Sequence, residues 1–269
     1  MAIMNGEHGR LYYEVAGEGP TVILGHAGFV DSRMWDDQWN ALTPHYRVIR
    51  YDMQGYGQSD VASGPVSRRA ELLGLLRHLG VERAHFVGSS LSGAVFIDFA
   101  LEQPALVASL VTANAVPNGF AMQGDPPRYL MEMFGAWQQG HFEQVSEFQL
   151  RIWIDGMFRE PQDVNATLRQ RVGLMNRTPV ENRTWMLADL QPVDPLDPPA
   201  ASRLGEITCP ALIIDSTLDH PETRRAAQSL IAGLPHAQGV TIPDAAHLPN
   251  MEQPAAFNRA VLGFLSSLG

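Results

Sequence analysis

His85-Phe86-Val87-Gly88-Ser89-Ser90-Leu91-Ser92-Gly93-Ala94-Val95 is an apolar strand that runs into a knot of glycine and serine and leaves it as a helix. Only small residues fit around so sharp a strand-to-helix turn, and the side chain at its apex is pushed out above the end of the strand. With Ser90 at the apex, Gly88 lies two residues before it and Ser92 two after, so crowding is relieved on both sides. Ser89 would have Val87 and Leu91 as those neighbours, and Ser92 would sit inside the first helical turn, because the apolar run ends at Val87. A serine-rich loop that does no more than cap a helix looks similar over so short a stretch. The rest of the chain has to decide between the two.

Working outward, strands and helices alternate. Gly9 to Val15 reads as a strand that turns at Gly17-Glu18-Gly19-Pro20 into a second strand, Thr21 to Leu24. A helix from Arg33 to Leu42, a strand from Tyr46 to Tyr51 and a helix from Arg68 to Leu79, closed by Gly80, come before the quoted stretch. A helix from Leu91 to Glu102 and a strand from Val107 to Val111 follow it. This rhythm implies right-handed βαβ units and a mostly parallel sheet covered by helices on both faces, an α/β fold.

After Ala113 the rhythm breaks. Residues 116–205 carry helical apolar stripes at Leu130, Met133, Phe134 and Trp137, at Phe142, Val145, Phe148 and Ile152, and at Val164, Leu168, Val172 and Met175. Thr178-Pro179-Val180-Glu181 has capping-box spacing, with proline at the first helical position, and predicts the start of a further helix. A proline-rich return, Gln191 to Pro199, leads to a buried strand at Ala211 to Ile214, a helix from Glu222 to Leu234, a short strand from Gly239 to Ile242 and a closing helix from Pro254 to Leu268. The reading is a core made of residues 1–115 and 206–269, with 116–205 inserted as a helical cap.

A nucleophilic serine needs a base, an acid and an oxyanion site. His247 stands in Ile242-Pro243-Asp244-Ala245-Ala246-His247-Leu248-Pro249, a loop between the last strand and the last helix, and His220 is its one rival. Asp219 follows the strand Ala211 to Ile214, at the sheet edge where open α/β folds gather their ligands, with Asp215 as the alternative. Leu24-Gly25-His26-Ala27-Gly28-Phe29 leaves another strand end, so Gly28 or Phe29 can offer one amide. Leu91, at a helix N-terminus, can offer the second. His26 reads as a hydrogen-bonded turn residue.

Composition narrows the chemistry. All 19 basic residues are arginine, which removes Schiff-base and Ser-Lys mechanisms. A net charge of −10 opposes nucleic acid and anionic lipid as partners. One cysteine, Cys209, fits a reducing compartment and packs rather than reacts. The N-terminal stretch Met1 to Glu7 has no signal-peptide pattern, and no apolar run is long enough to span a bilayer. The expectation is a soluble, cytoplasmic enzyme of small molecules, with neither metal nor cofactor.

These segments together resemble the α/β-hydrolase superfamily. Gly88 to Gly93 is similar to its nucleophile elbow, with Ser92 where glycine is usual, and His26-Ala27-Gly28 is similar to its His-Gly oxyanion loop. Asp52-Met53-Gln54-Gly55-Tyr56-Gly57-Gln58-Ser59 resembles its Asp-x-Arg-Gly-x-Gly-x-Ser turn, with Gln54 removing a charge near the site entrance. Pro210 to Asp219 and Ala246 to Pro249 resemble the acid and histidine segments, in the family's order Ser, Asp, His. The resemblance implies an α/β-hydrolase fold in which Ser90, Asp219 and His247 form the triad and Gly28, Phe29 and Leu91 the oxyanion hole. Serine at position 90 argues against epoxide opening and halide displacement, for which members use aspartate. The resemblance implies cleavage of small to medium apolar carboxylic esters through an acyl-enzyme. Trp137, Trp153, Met157 and Phe158 are the candidate pocket walls. Lactones, enol-lactones and carbon–carbon bonds of vinylogous diketones fit the same triad, and a non-catalytic ligand receptor is the reading from another class.

Overall fold

Val22, Ile23 and Leu24 are all fully buried, yet they serve two different cores. Ile23 joins an apolar cluster on one face of the sheet, whereas Val22 and Leu24 join the cluster on the other. Phe86 and Val87, Leu110 and Val111, and Ile213 and Ile214 divide in the same way. This is the period of two expected of strands buried on both faces. The structure, a computed structural model, describes residues 2–6, 9–190 and 193–269. Met1 and Glu7 of the N-terminal stretch, and Gln191 and Pro192 of the proline-rich return, lie outside the described residues.

The strands are β1 (Ala2–Gly6), β2 (Gly9–Ala16), β3 (Thr21–Gly25), β4 (Arg47–Tyr51), β5 (Ala84–Ser89), β6 (Val107–Ala113), β7 (Ala211–Ser216) and β8 (Ala237–Ile242). They form one sheet in the order β1-β2-β4-β3-β5-β6-β7-β8, antiparallel from β1 to β4 and parallel beyond. Helices α1 (Asp36–Leu42) and α9 (Pro254–Ser266) cover one face, supplying Leu42, Phe257 and Phe264 to its core. Helices α2 (Arg68–His78), α3 (Leu91–Glu102) and α7 (Pro221–Gly233) cover the other, supplying Leu72, Phe96 and Leu230. Among the described residues, no helix is long and apolar enough to cross a membrane.

Between β6 and β7 the chain forms α4 (Leu130–Gln138), α5 (Phe142–Leu150) and α6 (Ala166–Glu181), with π-helical turns at Arg151–Asp155 and Trp185–Asp189. Met133, Trp137, Val145, Ile152 and Val180 make a small cluster of their own. Leu150, Ile154, Val172 and Met175 instead reach down into the core beneath. The inserted segment is thus packed onto the sheet domain through one flank of its helices.

The structure departs from the sequence reading in five places. β2 and β3 do not pair, because β4 lies between them. β2 keeps exposed positions suited to a flank of the sheet, while β3, apolar and buried from Val22 to Gly25, needs cover on both faces. β1 is an additional edge strand. The expected helix from Arg33 begins as a 3₁₀ turn, Ser32–Trp35, capped by the Asp31 carboxylate, and α8 (Pro249–Glu252) is an extra turn before α9. No helix starts at Thr178: Pro179 lies in the last turns of α6, where it forfeits one backbone hydrogen bond. Val172, Met175, Pro179 and Val180 form one continuous buried face, which keeps the helix running through the proline.

Candidate active site

Ser90 joins β5 to α3 with φ 52° and ψ −113°, a strained conformation for a residue bearing a side chain. The turn is held from within. The Ser90 N–H donates to the Ala113 carbonyl at 2.9 Å. A Cβ at Gly88 would lie 2.7 Å from the Phe96 ring and 2.8 Å from the Gly93 nitrogen, so only glycine lets the strand approach the helix this closely.

The neighbouring serines have other uses. Ser92 is fully buried, and its Oγ donates to the Ser89 carbonyl and accepts from the Ser89 N–H, both at 3.1 Å. Ser89 is fully buried too. The hydroxyl that stands clear is that of Ser90, 2.8 Å from His247 Nε2. The other imidazole nitrogen, Nδ1, lies 2.9 Å from Asp219 Oδ2. Asp219 is itself fixed, its Oδ1 accepting the His220 N–H at 2.7 Å. Serine, imidazole and carboxylate therefore form one hydrogen-bonded chain drawn from three separate loops at the C-terminal edge of the sheet.

Asp215 is engaged elsewhere: its oxygens contact Arg224 at 3.2 Å and the Thr241 hydroxyl at 2.6 Å, between β7 and β8. His220 caps α7, its Nδ1 accepting the Glu222 N–H at 3.1 Å. His26 is fully buried, and its Nε2 accepts the Met53 N–H at 2.9 Å while Nδ1 donates to the Ala27 carbonyl. Burial holds its pKa below the ordinary histidine value, as suits a neutral ring that pins one turn to another.

Gly28 and Phe29 meet Leu91 at the mouth of the elbow, where a Cβ on Gly28 would lie 3.0 Å from Leu91 Cδ2. Their carbonyls are anchored, Gly28 by the Tyr56 hydroxyl at 2.9 Å and Phe29 by Asn176 Nδ2 at 2.8 Å. The Leu91 N–H, first in α3, has no acceptor one turn earlier within its helix.

Asn114 has a part that the sequence reading missed. At the end of β6, with φ 48°, its Nδ2 donates to Ser216 Oγ and to the carbonyls of Ala246 and His247 at 2.8, 3.0 and 3.1 Å. One amide thereby ties the β6 end to both the acid strand and the histidine loop. An asparagine directly after an apolar strand, a residue type tolerant of left-handed backbone, was the available signal.

A cavity of about 360 Å³ is lined by Gly28, Phe29, Ser90, Leu91 and His247 on the sheet side. Leu130, Met133, Trp153 and Trp185 face them from the inserted segment, and Asn114, His220 and Thr223 add polar atoms. Of the four expected wall residues, Trp153 is in the cavity, its ring 4.6 Å from the His247 ring centroid. The other three are corrections. Trp137 is buried behind the wall, stacked on Trp185 at 5.3 Å; Phe158 is 61% exposed; and Met157 is half-buried outside the lining. Helical periodicity identified Trp137 as buried but not whether it looks into the cavity, while Met157 and Phe158 lie in a bend outside any helix.

Gln54 is also corrected. It is buried away from the cavity, its N–H donating to Glu71 and its carbonyl accepting from Arg68. The cation in this neighbourhood is the buried Arg68 itself, paired with Asp189 at 2.8 Å and Glu71 at 3.2 Å.

Comparison with known proteins identifies the family. A model of the alpha/beta hydrolase family matches residues 22–260. The chain is 28% identical to a 2-hydroxy-6-oxo-6-phenylhexa-2,4-dienoate hydrolase of Burkholderia cepacia, over 96% of this chain and 92% of that one. It is 30% identical to a pimeloyl-(acyl-carrier protein) methyl ester esterase of Pectobacterium atrosepticum, over 94% and 98%. The crystal structure of the enol-lactonase from Burkholderia xenovorans superposes with a TM-score of 0.79 at 26% identity, covering 98% of this chain and all of that one, 100%. The chain belongs to the alpha/beta hydrolase family.

Proposed function

We propose that this chain is a serine hydrolase that cleaves carboxylic esters of small to medium apolar acids through an acyl-enzyme. The observation that carries the reading is the unbroken chain from Ser90 Oγ through His247 to Asp219, set on the floor of a largely apolar cavity. In the first half-reaction His247 Nε2 takes the Ser90 proton as Oγ attacks the ester carbonyl. The imidazolium so formed is stabilised by Asp219 and then protonates the leaving alcohol. The amides of Leu91 and of Gly28 or Phe29 are the donors to the tetrahedral oxyanion, where the α3 dipole adds its positive end. Water repeats the sequence to free the acid.

On this reading residues 116–205 act as a cap that excludes bulk water and shapes the acyl site, while residues 1–115 and 206–269 carry the chemistry. No metal or cofactor has a part in the scheme. The acidic charge and single cysteine support a cytoplasmic enzyme of small molecules, without nucleic acid or membrane as a partner. A second reading has its own support: an enol-lactonase and a 2-hydroxy-6-oxo-6-phenylhexa-2,4-dienoate hydrolase are among the similar proteins, and the same triad can open a lactone or hydrolyse a carbon–carbon bond next to a carbonyl.

The test is covalent labelling with a fluorophosphonate, followed by peptide mass spectrometry and a hydrolysis panel of p-nitrophenyl esters, lactones and vinylogous diketones. The expected result is turnover of p-nitrophenyl butyrate and a single adduct on Ser90, lost in Ser90→Ala and kept in Ser92→Ala. An adduct on Ser92, or a chain that neither labels nor turns over any member of the panel, overturns the proposal.

A further inference from the structure

The inserted segment is fastened to the loop bearing His247 by contacts that the hydrolytic scheme does not use. The His247 N–H donates to the Trp153 carbonyl at 3.2 Å. One residue earlier, the Ala246 N–H donates to Glu252 Oε1 at 2.8 Å. The second oxygen of Glu252 receives Arg159 Nη2 at 2.7 Å. The same guanidinium donates to the carbonyls of Ile154 and Asp155, at 2.6 and 3.1 Å, so it grips the end of the π-helical turn that presents Trp153. The side chains of Glu252 and Arg159 are only 4% and 16% exposed, which keeps water from competing for the pair.

Gly156 sits where the two parts come closest. Its φ is +73°, and a Cβ there would lie 2.9 Å from the Leu218 carbonyl and 3.1 Å from Ala246 Cβ. Leu218 precedes the triad acid and Ala246 precedes the base. Arg169 braces the turn from α6 through both oxygens of Asp155, at 2.7 and 2.9 Å. The turn is thus tied to the histidine loop through Trp153 and the Arg159–Glu252 pair, and to α6 through Arg169.

The contact with Asp219 restrains the imidazole at one atom, so the place of Nε2 depends as well on the backbone of the histidine loop and on the Trp153 ring packed against it. Proton transfer from Ser90 needs Nε2 held within a fraction of an ångström of its place. We infer that Arg159 and Glu252 are positioning residues for His247, clamping the turn at 151–155 to the histidine loop so that the pocket wall at Trp153 and the general base are set as one unit. The inference rests on the serine-hydrolase reading. It adds that a segment outside the sheet domain determines how well the base is aligned.

The experiment compares Glu252→Gln, Glu252→Ala, Arg159→Met, the Glu252→Gln/Arg159→Met double variant and Gly156→Ala with the unaltered enzyme. All are assayed well below their unfolding midpoints, with native circular dichroism as the criterion of folding. Glu252→Gln keeps an acceptor for Ala246 and loses the ion pair, whereas Glu252→Ala loses both, so kcat should fall further in the second. Arg159→Met and Gly156→Ala should each lower kcat by about tenfold to a hundredfold, the range that misplacement of a reacting group produces, with KM changed by less than about threefold. The rate of fluorophosphonate attachment to Ser90 should fall in parallel, since it uses the same base. The double variant should lose little more than its worse single. Folded variants with unaltered kcat, losses confined to KM, or losses that simply multiply in the double variant overturn the inference. Failure of the unaltered enzyme to label or turn over overturns the hydrolase reading instead, and the inference with it.

Discussion

The loops of the sheet domain and the helices inserted after β6 both line one cavity, but they are built by different physics. On the sheet side, position is set by backbone: Gly88 lets β5 touch α3, Ser90 N–H is tied to Ala113, and Asn114 binds the carbonyls of Ala246 and His247. On the inserted side, position is set by side-chain packing and buried ions: Trp137 stacks on Trp185, and Arg68 of α2 holds Asp189 of the second π-helical turn. Backbone geometry is insensitive to most substitutions and unforgiving of a few. Packing yields gradually. The division predicts that changes on the sheet side act on kcat in an all-or-none way, while changes in the inserted segment act on stability and selectivity, except where the two are clamped together.

The largest effect should come from the acid. Asp219→Asn leaves the fold intact but turns the group facing His247 Nδ1 into one that cannot enforce the right tautomer, so turnover should fall by up to ~10⁴. Asp215→Asn should change turnover little, because that carboxylate faces Arg224 and Thr241. Steady-state kinetics on both variants separate them, and equal turnover in Asp219→Asn and the unaltered enzyme would move the acid elsewhere.

How much of this could be read from the sequence follows the same division. The elbow, the strand order of the chemistry and the choice of Ser90, Asp219 and His247 come from residues whose type is dictated locally, and the structure brings those three side chains together. Pro179 misled because its local signal, a capping pattern, is weaker than the buried face of α6 that runs through it. Trp137 was misjudged for a related reason: periodicity tells buried from exposed, and only the packing of one helix on another decides which buried residue borders a cavity; Met157 and Phe158 lie in a bend beyond the π-helical turn, where helical periodicity no longer applies. Gln54 was judged by analogy to an arginine at the site entrance, yet its backbone faces Glu71 and Arg68.

A middling effect should come from Arg68, one of the ions that join the two parts. Replacing it with methionine leaves Glu71 and Asp189 buried and uncompensated, at a cost of about 3–5 kcal/mol. The pH dependence has a definite sign. Burial already raises the Glu71 carboxyl above its ordinary value, and removing the guanidinium raises it further. A carboxyl whose folded pKa is raised contributes stability below its unfolded value, about 4.3, and loses it as the pH rises through the folded value. The deficit of Arg68→Met, measured by urea unfolding, should therefore shrink as the pH is lowered from neutral. A deficit independent of pH would mean that the cluster does not carry the charges assigned to it.

The smallest effect tests the packing side alone. Trp185 lines the cavity, while Trp137, stacked on it at 5.3 Å with planes 16° apart, does not. Trp185→Ala should open the acyl site without touching the triad, so the ratio of kcat/KM for p-nitrophenyl hexanoate to that for the acetate should rise by about tenfold, the scale on which one apolar increment is discriminated in a pocket. The acetate kcat should stay within about threefold of the unaltered enzyme. Trp137→Ala removes the ring behind the wall and leaves a void of similar size, so it should cost about 3–5 kcal/mol of stability, with a smaller change in the ratio. Partial collapse of Trp185 into that void would move both quantities at once. If Trp137→Ala shifts selectivity as much as Trp185→Ala while stability is unchanged, the wall is formed by the pair as a unit. The inserted segment would then be shaping the site by the same rigid means as the sheet domain.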